Sequence, residues 1–145
     1  GLAQTPDLYK CGVSLAGVSD LEQELRLDSD ISKSAVQREF ARSRIGDPTL
    51  MKTTFDAVSP LQHADLIKAP LLLAHGKLDE RVPMSQGQQM YERMRALRKD
   101  VRWLQFDDEG HSLWRIEDQR DFYDAVFELL ERTIGKGIVP ANAAP

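Results

Sequence analysis

The chain has 145 residues, 41% of them hydrophobic and 29% charged, with a formal net charge of −4. That is room for one domain around one core, and it excludes a disordered chain. The mild acidity, with both signs interspersed, offers no footprint for nucleic acid, and no stretch approaches the roughly 20 apolar residues of a membrane span.

Residues 1–5, GLAQT, read as the last turn of a helix stopped by Pro6. A chain that starts at Gly1, on a helix end, is expected to be a piece of a longer polypeptide. Residues 9–16, YKCGVSLA, read as a short buried strand. Cys11 within it has no second cysteine to pair with and reads as a small core residue; it gives no sign of compartment. Gly17 breaks the strand, and Ser19 or Asp20 can cap a helix over 21–27.

Residues 28–54 are polar and charged. Ser32 or Ser34 can cap a helix through 35–43, where Ala35, Val36, Phe40 and Ala41 give a weak apolar face. Gly46-Asp47-Pro48 ends it, and 51–58 form a further short helix. The whole stretch reads as a helical excursion on the surface. Ser59-Pro60 is a turn, because the residue before proline avoids the helical region. Residues 61–68 then lead to the next strand, with Pro70 at its start.

Residues 70–75 form an apolar run without alternation, as in a parallel strand covered on both faces. Ser85 caps an amphipathic helix reaching Arg98, with Met90, Met94 and Leu97 three or four apart. Residues 101–106 form the third strand. A last helix runs from about Glu117 to Ile134, with Phe122, Val126, Leu129 and Leu130 on one face, and Gly135 and Gly137 end it. Residues 138–145, rich in Ala and Pro, read as a loose tail of a domain covering 1–137. Strand, helices, strand, helix, strand, helix is an α/β pattern: about three parallel strands joined by right-handed crossovers, with flanking helices.

Chemistry is expected at the carboxyl ends of those strands. Asp79 follows the second strand by four residues, and His111 follows the third by five. Adjacent strands are about 4.8 Å apart, so such loops can bring a carboxylate to a histidine. A histidine used as a base needs that carboxylate to fix its tautomer and to stabilise its charged form. In chain order the two read as the last members of a Ser…Asp…His triad on an α/β-hydrolase sheet. Asp107, Asp108 and Glu80 are rival acids. His63, His75 and His111 lack metal-ligand spacing, there is no Gly-rich phosphate loop, and neither metal nor cofactor is expected. His75 reads as a hydrogen-bonded structural residue, and Trp114 as either a pocket wall or a packing aromatic.

The stretches SPLQHADLIKAP (59–70), APLLLAHGKLDERVP (69–83) and EGHSLW (109–114) resemble the C-terminal catalytic region of the prolyl oligopeptidase family of serine peptidases, which includes dipeptidyl and acylaminoacyl peptidases. The resemblance extends over residues 1–135 and is strongest over 59–127. It implies part of an α/β-hydrolase fold, with Asp79 as triad acid, His111 as general base, and Arg81 and Pro83 shaping the Asp loop. Ser112 and Leu113 stand where family members often carry Gly and Phe.

The family's G-x-S-x-G is missing. Gly12-Val13-Ser14-Leu15-Ala16 comes nearest, but it lies inside a strand and Gly17 interrupts any following helix. The resemblance implies that the nucleophilic serine lies upstream of Gly1, leaving this chain alone inactive. The expected activity is hydrolysis of short peptides by the parent protein. The alternatives are an esterase or other acyl hydrolase of the same fold, and a non-enzymatic module that assembles. Either way, a strand edge left exposed would favour a homo-oligomer.

Overall fold

Three parallel strands carry the fold in this computed structural model, which describes residues 1–30, 35–47 and 49–135. They are β1 (Gly12–Leu15), β2 (Leu71–Gly76) and β3 (Val101–Phe106), in the spatial order β1-β2-β3. Leu73 of β2 lies opposite Ser14 on one side and Trp103 on the other, and Gly76 lies opposite Phe106. The ends of β2 and β3 are therefore level.

All six residues of β2 are buried, as its continuous apolar run requires. Alternate side chains enter opposite layers. Leu71 and Leu73 pack with Ala64, Ile67, Met90 and Met94, which come from a 3-10 helix (Pro60–Leu66), its following residue, and a helix over Ser85–Ala96. Leu72 and Ala74 face the helix Ile116–Ile134, where Phe122, Ala125 and Leu129 are buried. Each large apolar side chain so buried contributes about 1.5–3 kcal/mol.

In chain order the helices are α1 (Leu21–Asp30), α2 (Ala35–Ile45), α3 (Lys52–Val58), α4 (Ser85–Ala96) and α5 (Ile116–Ile134). Asp20 rather than Ser19 caps α1, accepting a bond from the Gln23 N–H at 3.0 Å. Ser85 does not cap α4; Met84 precedes the helix and no side chain caps it. Val36 and Phe40, two residues of the weak apolar face expected of α2, are exposed. Residues 2–8 form turns, and Thr5 N–H donates to Gly1 O at 2.8 Å, the i+4→i bond of a single helical turn. The expected caps Ser32 and Ser34, Pro48, Gly137 and the tail 138–145 lie outside the described residues.

β1 is shorter than expected and not buried. Its ladder is bracketed by Gly12 N→Pro70 O and Ala16 N→Ala74 O, so 9–11 stay outside it. Val13 and Leu15 are exposed because α5 packs over β2 and β3, and Cys11 is only half-buried at the margin of that layer. No helix among the described residues is long and apolar enough to cross a membrane.

Candidate active site

The loops leaving β2 and β3 are stapled together by their backbones. Lys77 N–H donates to Phe106 O at 2.8 Å, and Leu78 N–H donates to Glu109 O at 2.9 Å. Gly76 permits this approach: a Cβ there would lie 2.1 Å from Gly110 O and 2.4 Å from Glu109 O. Two residues 32 apart in sequence are thereby brought into contact. His111 Nδ1 lies 2.9 Å from Asp79 Oδ2.

Asp79 is buried, 8% exposed, and its carboxylate is fully bonded. Oδ1 accepts the backbone N–H groups of Arg81 at 2.8 Å and Val82 at 2.9 Å. Oδ2 faces His111 and, at 3.3 Å, His75 Nε2. Burial pushes the carboxyl group up, but the Val82 N–H, His111 and the Arg81 N–H together outweigh it and hold Asp79 below the ordinary aspartate range. Asp79 is thus a preformed carboxylate. Arg81 contributes through its backbone, its side chain being exposed.

A carboxylate can only accept, so His111 carries its hydrogen on Nδ1. Nε2 is left with the lone pair, on a side chain 36% exposed. An imidazole in this tautomer, with its back nitrogen tied to a buried carboxylate, can take a proton at Nε2 and return it.

The rival acids do not reach His111. Asp107 accepts the Gln105 amide at 2.7 Å and lies near Lys77, while Asp108 pairs with Arg115 at 3.0 Å; both are exposed, as is Glu80. Sequence reasoning passed over Glu109. It is buried, and its Oε1 accepts Trp114 N–H at 2.9 Å and Arg115 N–H at 2.7 Å, which hold it below the usual glutamate range. It therefore closes the loop that presents His111 and satisfies the backbone N–H groups of the two residues just ahead of α5. The available signal was a carboxylate shortly ahead of a predicted helix.

Trp114 is 81% exposed in this chain and packs into neither of its core layers. His63 is remote from the pair, its Nε2 lying 3.0 Å from Asp56 O. Among the described residues no cluster of three His, Cys, Asp or Glu could hold a metal ion.

Ser14 is not part of the arrangement. It pairs with Leu73, three residues short of Gly76. At about 3.3 Å per residue it sits about 10 Å below the edge where Asp79 and His111 meet. Among the described residues, no serine is bonded to His111. β1 leaves the sheet through Ala16, at φ 53°, and its following loop is held by Gln86, whose buried amide accepts Ser19 N–H and Asp20 N–H and donates to Asp20 O.

Known proteins resemble this chain in sequence and in fold. Over 137 residues, 93% of the chain, it is 34% identical to dipeptidyl aminopeptidase BIII of Pseudoxanthomonas mexicana. It is 36% identical over 132 residues to the human acylamino-acid-releasing enzyme, covering 88% of the chain. An acylaminoacyl peptidase of Pyrococcus horikoshii superposes over 97% of the chain with a TM-score of 0.77 and 28% identity. The chain spans about a fifth of each relative: 20%, 18% and 22% of their lengths respectively. These neighbours share the α/β-hydrolase fold, of which the three parallel strands and flanking helices seen here are a part. The family model matching residues 1–137 is that of the prolyl oligopeptidase family, and the chain belongs to that family of peptidases.

Proposed function

We propose that this chain supplies the acid and base of a Ser-His-Asp triad in a serine peptidase acting on short peptides. The observation that carries this reading is the 2.9 Å contact between His111 Nδ1 and buried Asp79, with His111 Nε2 left open. The nucleophilic serine comes from polypeptide outside these 145 residues. His111 Nε2 removes its proton as Oγ attacks the scissile carbonyl carbon. Asp79 holds the ring and stabilises the imidazolium so formed. The C–N bond breaks as His111 protonates the leaving amine, and water then releases the acyl group by the same route in reverse.

Peptide substrates are favoured over simple esters by the dipeptidyl and acylamino-acid-releasing relatives. The test uses aminoacyl and acylaminoacyl chromogenic amides. A longer protein carrying this chain with its upstream sequence should hydrolyse them, and Asp79→Asn should lower kcat on the order of 10⁴-fold. The 145-residue chain alone should be silent. Turnover by the chain alone that disappears in Ser14→Ala would overturn the reading.

A second property concerns assembly. The outer edge of β1 pairs with no strand among the described residues, and it carries exposed Val13 and Leu15. Unpaired N–H and C=O groups beside apolar side chains favour strand addition, so the chain is proposed to self-associate through β1. A strict monomer by light scattering at high concentration would refute this.

A further inference from the structure

His75 lies beside the pair, yet the proposed proton transfer does not use it. Its side chain is 1% exposed. Nε2 sits 2.9 Å from Val82 O and 3.3 Å from Asp79 Oδ2. Both partners are acceptors, so Nε2 carries the hydrogen. Nδ1 is buried and has no partner. Trp103 covers the ring at a centroid distance of 6.4 Å, with Tyr91 stacked on Trp103 at 5.9 Å. From α4, Gly87 allows the close fit: a Cβ there would lie 2.9 Å from His75 Nδ1 and 2.8 Å from Trp103.

Such a residue is poor filler. An apolar side chain of similar size would leave no buried nitrogen unpaired. What the ring gains over an apolar one is a single N–H donated to Val82 O, at the far end of the turn that begins at Asp79. Val82 in turn donates its N–H to Asp79 Oδ1, beside the Arg81 N–H, while Oδ2 is left to His111 with His75 Nε2 close by at 3.3 Å.

We propose that His75 is a positioning residue, whose Nε2–H bridges the end of β2 to Val82 O and so fixes the turn whose N–H groups hold Asp79 with Oδ2 toward His111. Its relevance to hydrolysis rests on reading Asp79 and His111 as an acid–base pair; the bridge itself is testable without any activity. In the wild-type chain at neutral pH, ¹⁵N-edited NMR of the His75 ring should show a slowly exchanging Nε2–H and an unprotonated Nδ1. A hydrogen on Nδ1 overturns the proposal, whether or not any variant folds.

The variants separate positioning from packing. His75→Leu fills the space without a donor, and the His111 Nδ1–H should exchange with solvent about tenfold faster. His75→Gln returns a donor near the place of Nε2 and should restore slow exchange. Unchanged exchange in His75→Leu, or equal loss in both variants, overturns the proposal and leaves His75 as packing. Failure of the serine-peptidase reading would appear in the chromogenic assay and leave these spectra untouched.

Discussion

Gly76→Ala should separate the two halves of the site. The added Cβ would start 2.1 Å from Gly110 O, 2.4 Å from Glu109 O and 2.6 Å from Glu109 C, where ordinary contacts begin at 3.4 Å. All three are backbone atoms, so no side chain can swing aside, and the His111 loop must retreat by about 1 Å or more. The staples Lys77 N→Phe106 O and Leu78 N→Glu109 O stand at 2.8 and 2.9 Å and would not survive that movement. Two backbone bonds at about 1 kcal/mol each, with about 1–3 kcal/mol of strain, give a loss of about 3–5 kcal/mol. The bond from His111 to Asp79 should go with them. Urea unfolding measures the first effect, and the His111 Nδ1–H resonance the second. A loss under about 0.5 kcal/mol, the range of an ordinary surface change, with that resonance unmoved would show that close approach at Gly76 does not build the site.

Other perturbations address the remaining links. Gln86→Leu should destabilise by about 2–4 kcal/mol in urea, because it strands the N–H groups of Ser19 and Asp20. Met94→Ala, at a fully buried position, should lose about 2–5 kcal/mol in the same assay through its cavity. Asp79 has a lowered folded-state pKa, so its ionisation stabilises the fold above the ordinary value near about 4 and that contribution is lost as pH falls through the folded pKa. Wild type should therefore lose more stability than Asp79→Asn between pH 7 and pH 3, and parallel losses would refute this. Val13→Lys with Leu15→Lys should abolish self-association while leaving the melting temperature nearly unchanged, since both side chains are already exposed.

The central sheet was legible because burial writes itself into β2 as an unbroken apolar run, and into α4 and α5 as helical spacing. β1 was misjudged because cover is a tertiary property: Val13 and Leu15 look like core residues, and only the position of α5 shows that they are not. Asp79 and His111 could be singled out as strand-end residues, and the family resemblance preferred Asp79 to Asp107, Asp108 and Glu80; that the two side chains touch follows from the register of β2 and β3 and the backbone staples. Gln86 and Glu109 act on backbone groups distant in sequence or within loops, and composition and spacing carry little trace of that. His75 was legible as a hydrogen-bonded histidine. That its N–H holds the turn carrying Asp79 was not.

The central claim is that Asp79 fixes His111 with Nε2 free to act as the base. The most direct measurement is the ring ¹⁵N spectrum of His111 in the 145-residue chain, compared with Asp79→Asn. Wild type should carry its hydrogen on Nδ1, with Nε2 unprotonated. In the variant, an amide that can donate to Nδ1 should move the hydrogen to Nε2. A wild-type ring already protonated at Nε2 and bare at Nδ1, or a spectrum indifferent to the substitution, would contradict the account.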